Sequence, residues 1–208
     1  MTPPTSYHRS RADLKPGDLI SPAKAPSTAS ENRSSMDREY HFRPVAQADL
    51  PLLREWRARP HWVEWWGSAE EDDGFFEEAM ADPNIHAWIV ELDGRAFAYA
   101  QDYDPHAWPG HPFAHLPPGA RGIDQSIGDP DLIGRGHGSA FVRNHVERLF
   151  AAGAPAVGTD PHPDNVRAIR AYEKAGFAIR GGPLESPWGR CVPMERWRDP
   201  GPWDGPSE

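Results

Sequence analysis

Apolar residues recur along this chain at two spacings, and the places where one gives way to the other mark its elements. Alternation of apolar and polar residues, the period of a half-buried strand, runs through Arg121-Gly122-Ile123-Asp124-Gln125-Ser126-Ile127. A helical period follows, with Val142, Val146, Leu149 and Phe150 at i, i+4, i+7 and i+8 on one face. Between the two lie an Asp129-Pro130-Asp131 turn and the run Gly134-Arg135-Gly136-His137-Gly138-Ser139. A short apolar run, Ala156 to Thr159, then ends at Asp160-Pro161. Asp164-Asn165 opens a second helix, which carries Val166, Ile169 and Tyr172 and closes at Gly176 before Phe177. The predicted order is strand, glycine loop, helix, strand, helix, with ionisable residues at the strand ends.

The flanking sequence extends this pattern. Asp37 to Arg43, directly after Met36, reads as a first strand, and Asp49 can cap a helix over Leu50, Leu52, Leu53 and Trp56 that Pro60 stops. Glu70 to Met80 reads as an acidic helix containing Phe75 and Phe76, its first acidic residues favoured by the helix dipole. His86 to Glu91 and Arg95 to Tyr103 read as a hairpin about Asp93-Gly94. Asp104 to Ala120, rich in Pro, Gly and His, is a long connection and a candidate substrate lid. Phe177 to Gly181 and Cys191 to Trp197 read as a last strand pair.

The glycine loop has a chemical reading. Glycine permits positive φ and lets a ligand approach without meeting a Cβ. The amides of a helix's first turn lack intrahelical acceptors, and the dipole favours negative charge there, so a strand feeding such a helix start suits phosphate. The spacing matches neither a P-loop nor a dinucleotide fingerprint, and a glycine-rich helix entry that binds nothing has the same pattern.

Composition narrows the field. With 208 residues and 38% hydrophobic content the chain supports one domain, read as residues 36–199. The net charge of −9 leaves no excess of Lys and Arg to meet phosphates, which argues against nucleic acid. It suits a polycationic small molecule, or serves solubility alone. Residues 1–35, rich in Pro, Ser and charge, read as a disordered extension without a signal-peptide core, and 200–208 as a tail. No apolar run approaches membrane-spanning length, so a cytoplasmic protein is expected, as monomer or dimer. Cys191 is the only cysteine, and the prolines around His111 and His115 oppose the helix a metal pair would need, so no metal site is expected.

Gly134-Arg135-Gly136-His137-Gly138 followed by Asn165-Val166-Arg167-Ala168-Ile169-Arg170-Ala171-Tyr172-Glu173-Lys174-Ala175-Gly176-Phe177 resembles the GNAT superfamily of N-acetyltransferases. Within it, four further pieces look most like the aminoglycoside 6'-N-acetyltransferases. They are His61-Trp62-Val63-Glu64-Trp65-Trp66-Gly67, Tyr99-Ala100-Gln101-Asp102-Tyr103, Arg121 to Ser126, and Thr159-Asp160-Pro161 with Pro163 and Asn165. The resemblance implies a mixed α/β fold: a central, mostly antiparallel, splayed sheet flanked by helices. It also implies acetyl-CoA as co-substrate, held by Gly134, Arg135, Gly136, His137, Gly138 and Ser139, with Asn165 and Tyr172 facing its pantetheine and sulfur.

The same resemblance implies how the remaining residues act. Acyl transfer to an amine needs an unprotonated nucleophile, a proton acceptor, an oxyanion site and a proton for the departing thiolate. Asp124 would anchor the acceptor ammonium and take its proton directly or through water, although pairing with Arg121 is its plain structural alternative. Asp160 would present a second carboxylate, or simply cap a turn. Tyr172 would protonate the thiolate, or pack in the core, and amides around Ser126 and Ile127 would hold the carbonyl oxygen. Trp65, Trp66, Gln101 and Tyr103 would line the acceptor site, with aromatic walls suited to sugar faces, while clustered tryptophans also commonly build cores. The implied activity is acetylation of a primary amine, most closely the 6'-amine of an aminoglycoside. Another amine, or acetyl-CoA binding without turnover, is the alternative.

Overall fold

The computed structural model describes residues 39–67 and 74–199. The expected N-terminal extension, the tail at 200–208 and the acidic run Glu70 to Asp73 lie outside the described residues. In chain order the elements are β1 (Tyr40–Pro44), α1 (Leu50–Arg57), α2 (Pro60–Trp66), α3 (Phe75–Ala81), β2 (Ile85–Leu92), β3 (Arg95–Tyr103) and β4 (Arg121–Ile127). After them come α4 (His137–Ala151), β5 (Ala156–Thr159), α5 (Val166–Lys174), β6 (Ala178–Ile179), β7 (Leu184–Ser186), β8 (Gly189–Cys191) and β9 (Met194–Trp197).

Among the described residues, seven strands form one sheet in the order β1-β2-β3-β4-β5-β9-β6, and β7 and β8 form a separate hairpin. Every neighbouring pair in the large sheet is antiparallel except β4 and β5. The hairpin of β2 and β3 turns at Asp93 and Gly94, both at positive φ, as its Asp-Gly signal predicts.

The parallel pair decides where a site can form. β4 and β5 are joined through α4, and their register covers only Arg121↔Val157 and Gly122↔Gly158. Beyond Gly122 the strands part, and the backbone of β4 loses its partner on that side. The last paired residues are tightly covered. A Cβ on Gly122 would collide with the Tyr103 ring, and one on Gly158 would stand 2.7 Å from the Phe113 ring. Bulky rings thus lie directly on two bare backbones at the point where the sheet splits.

The two faces carry separate cores. Leu50, Leu53, Trp56, Trp62, Phe75 and Phe76 from α1, α2 and α3 pack on Ile89 and Tyr99. On the opposite face, Val142, Val146 and Phe150 of α4 pack on Val90, Ala98, Ala100, Ile123 and Val157 as the helical spacing predicts, with Leu149 partly buried against them and Phe141 joining the same core.

Three local readings change. Pro60 begins α2 rather than merely ending α1, because proline suits a helix's first position. Asp49 precedes α1 without a side-chain cap; its carboxylate instead takes two bonds from Arg43, at 2.7 and 2.8 Å, and the Ala46 amide. The connection Asp104 to Ala120 is a packed plug rather than a lid. Trp108, His111, Phe113, Leu116 and Ala120 in it are buried, and His115 ties it to the buried carboxylate of Glu195 at 2.7 Å.

Candidate functional site

Where β4 and β5 part, a cleft opens whose lining includes Trp65, Trp66, Gln101, Asp124, Asp160, Asn165 and Tyr172. Seven residues singled out in sequence, from β3, β4, α2, α5 and the loop after β5, thus meet in one place. Strand alternation explains the first pair. Gln101 and Asp124 are direct cross-strand partners, so their side chains leave the sheet on the same face.

A chain of hydrogen bonds aims Asp124. The Tyr99 hydroxyl donates to Gln101 Oε1 at 2.8 Å, and Gln101 Nε2 donates to Asp124 Oδ2 at 3.1 Å. Burial, with the charge of Asp124 beside it, pushes the Tyr99 phenol far up, so it stays a proton donor. Arg121, the cation offered as a structural partner for Asp124, instead leaves the sheet on the other face and bonds Asp102 Oδ1 at 2.9 Å. The carboxylate of Asp124 is thereby left on the cleft side.

Tyr172 is buried and lines the cleft, with its ring on Phe177. Gln125 donates its amide to the Tyr172 hydroxyl, which turns the phenol's own proton away from Gln125. Asn165 caps α5 by accepting the Ala168 amide at 3.0 Å, so its position at the cleft is a consequence of starting that helix. The three tryptophans divide their labour. Trp62 is wholly buried and donates to the Ile127 carbonyl at 2.9 Å, while Trp65 and Trp66 form the cleft wall. Trp66 is held edge-on by Phe75, and Trp65 lies 5.9 Å from the His162 ring.

The glycine loop sits beyond the end of β4. Gly134 and Gly136 have φ of +77° and +84°, and a Cβ on either would meet nothing within 4 Å. Their bareness therefore serves no packing partner within the protein, and it keeps open the space ahead of the first-turn amides of α4. Arg135 is exposed there, and Gly138 and Ser139 lie in the helix's first turn. The residues present fit an anionic phosphate chain. The His137 ring turns inward, buried against Phe97 and bonded to the Tyr40 hydroxyl at 2.9 Å, so its side chain does not face that space.

Two expected contacts fall elsewhere. Tyr103 does not line the cleft. It is 1% exposed, stacked among Trp108, His111 and the bare backbone of Gly122. Ser126 is the second. Gly128 N–H donates to Phe97 O at 2.7 Å, and amide direction alternates along a strand. Counting back, the Ser126 amide faces β3, while those of Gln125 and Ile127 face the opened side. Sequence reading missed Gln125, His162 and Trp188, all at the cleft. Gln125 stood next to Asp124 in the quoted motif; strand alternation sends its side chain to the face opposite that of Asp124, where it meets Tyr172 of α5.

An acetyltransferase (GNAT) domain model matches residues 45–182. The chain is 37% identical over 166 residues to the aminoglycoside N(6')-acetyltransferase type 1 of Klebsiella pneumoniae, covering 76% of this chain and 82% of that one. It is 48% identical over 82 residues to a kanamycin resistance protein of Rhizobium radiobacter, 39% of this chain and 75% of that one. Among solved structures it is similar to the aminoglycoside acetyltransferase AAC(6')-Ib in complex with coenzyme A and kanamycin, at 36% identity and a TM-score of 0.69, covering 77% and 95% of the two chains. With the glycine-bearing start of α4, the split between β4 and β5 and the facing Tyr172, these matches show that the chain belongs to the GNAT family of acetyltransferases.

Proposed function

We propose that this protein transfers the acetyl group of acetyl-CoA to the 6'-amine of an aminoglycoside, in a ternary complex. The observation that carries the reading is the meeting of two carboxylates, Asp124 and Asp160, with the aromatic wall of Trp65 and Trp66 in the cleft that also holds Tyr172. Carboxylates meet the ammonium groups of a polycation, and indole faces cover the apolar faces of its sugar rings. The first-turn amides of α4 hold the phosphates of the donor, and the opened-side amides of Gln125 and Ile127 donate to the carbonyl oxygen as it gains charge. Asp124 fixes the acceptor nitrogen and receives its proton, directly or through water. The nitrogen bonds the carbonyl carbon, the carbon–sulfur bond breaks, and the Tyr172 hydroxyl supplies the proton that the thiolate takes. Acetyl-CoA as donor puts this activity in the cytoplasm.

The test compares kcat/KM for kanamycin, with its 6'-amine, and for paromomycin, with a hydroxyl there, in the parent and in Asp124→Asn. Acetylation of the amine alone is expected. Loss of one charge-assisted hydrogen bond should lower kcat/KM in Asp124→Asn by at least about tenfold, with acetyl-CoA affinity unchanged. Equal CoA release with both antibiotics, or turnover only of an unrelated amine, would remove the 6'-regiospecific reading.

A further inference from the structure

The loop that follows β5 reaches the cleft with a histidine whose two nitrogens have different duties. Pro161 and Pro163 flank His162, and a residue before proline is restricted to extended backbone. Three hydrogen bonds then hold the loop. The Val192 amide donates to Pro161 O at 2.9 Å, the Asn165 amide to His162 O at 2.9 Å, and the Asp164 amide to His162 Nδ1 at 3.2 Å. The ring is thus presented by a backbone with little freedom to turn. Together with Asp160 it lines the cleft, 5.9 Å from the Trp65 ring.

The bond at Nδ1 decides the chemistry of Nε2. An N–H donates to Nδ1, so that nitrogen carries no proton, and the neutral ring holds its proton on Nε2. The Asp164 carboxylate stands 3.7 Å from Nδ1, too far to draw a hydrogen bond from it. Nε2–H points away from the loop bond, and no acceptor among the described residues takes a hydrogen bond from it. The His162 side chain is 28% exposed, so this donor is reachable from the cleft.

Its neighbours define what it recognises. Asp124 and Asp160 accept hydrogen bonds from ammonium groups but donate none to the oxygens of a sugar. Gln101 is spent on Tyr99 and Asp124, and Gln125 gives its amide to Tyr172. Resting on the acceptor reading above, we propose that His162 is a specificity-determining residue. Its Nε2–H donates to a hydroxyl oxygen of the sugar ring that carries the reacting amine, while that ring lies on Trp65. The ring is the aminated one because it is one carbon from the nitrogen that Asp124 fixes, and so is the part of the acceptor brought farthest into the cleft. The acceptor class is therefore an amino sugar with hydroxyls on its aminated ring, rather than any polyamine of the same charge. A polyamine satisfies both carboxylates and leaves Nε2–H without an acceptor.

The test uses the full chain at saturating acetyl-CoA with a matched pair of acceptors. Kanamycin B and dibekacin share the 6'-amine and differ only in the 3'- and 4'-hydroxyls, which dibekacin lacks. The parent should show a KM for kanamycin B about three- to tenfold below that for dibekacin, the range of one neutral hydrogen bond. His162→Asn keeps an oxygen for the Asp164 amide and removes the outer donor. It should raise KM for kanamycin B by the same factor, hold kcat, and bring the two acceptors level. His162→Gln loses the loop bond but returns an N–H donor near the position of Nε2, and should restore most of the difference. Neither variant carries a ring, so the contrast between them reads the donor and not the packing on Trp65. A residue serving only the loop would give the reverse order, with His162→Asn like the parent and His162→Gln impaired, and that result overturns the proposal. Equal KM for the two acceptors in the parent also overturns it, while leaving the 6'-acetylation reading in place. No turnover of either acceptor removes that reading itself, and this inference with it.

Discussion

At the scale of single residues, function rests on groups whose neighbours fix both direction and protonation. Tyr99 never reaches the cleft surface, yet its hydroxyl sets which end of Gln101 faces Asp124. Tyr172 is set in the same manner by Gln125. Replacing Tyr172 by Phe keeps the ring on Phe177 and deletes only the proton donor. With kanamycin as acceptor, kcat should fall by about 10²-fold in single-turnover measurements, while calorimetric acetyl-CoA affinity stays constant. Unchanged turnover where chemistry limits the rate would take Tyr172 out of the proton path. The carboxylates and Tyr172 were visible in sequence because a motif carries them. Gln125, which bonds Tyr172, and Tyr99, which bonds Gln101 behind Asp124, were not read as site residues, since which side chains meet depends on register and packing.

At the scale of elements, two kinds of glycine behave oppositely. Gly122 and Gly158 are bare because rings lie on them, whereas Gly134, Gly136 and Gly138 keep an open space. Gly122→Ala forces Tyr103 off the central strand and should cost about 1–3 kcal/mol or more of stability, read as a lower urea midpoint. Gly138→Asp has ordinary backbone and room for its Cβ, with the nearest atom, Ile127 Cδ1, at 3.9 Å. Its Tm should therefore hold while acetyl-CoA binding by calorimetry weakens by at least about tenfold, because a carboxylate faces the phosphate site. A Gly138→Asp protein that binds acetyl-CoA as tightly as the parent would mean the cradle is elsewhere. Sequence distinguished the loop glycines by their context before a helix. It gave no sign of the other two, whose need comes from rings 19 and 45 residues away in the chain.

At the scale of the whole molecule, burial of histidines sets the acid limit. His111 is packed among Tyr103, Trp108, Phe113 and Trp188, and burial, with His106 nearby, pushes its pKa down to about 3. Burial also lowers His145 and His61. A histidine held neutral in the folded state binds its proton first in the unfolded state. Its contribution to stability is thus complete above the unfolded value of about 6.5 and is lost as pH falls from there toward the folded value. Each such group steepens the loss by up to about 1.4 kcal/mol per pH unit. Urea midpoints should fall steadily below about pH 6.5, and His111→Gln, which keeps an acceptor for the Phe113 amide, should flatten that slope. Parallel slopes in the two proteins would show that His111 is not a source of the acid loss.

What the sequence determined by itself was local: strand and helix periods, the Asp93-Gly94 turn, the helix start after Gly136 and the stop at Gly176. Each depends on residues within a few positions of one another, where spacing and backbone preference suffice. The tertiary structure alone decided which of Trp62, Trp65 and Trp66 faces the cleft, that Tyr103 and the loop from Asp104 to Ala120 pack away from it, and that Arg121 serves Asp102 rather than Asp124. Those outcomes follow from where β4 and β5 part and from which face each strand covers. Both are contacts between segments distant in the chain, and no local pattern encodes them.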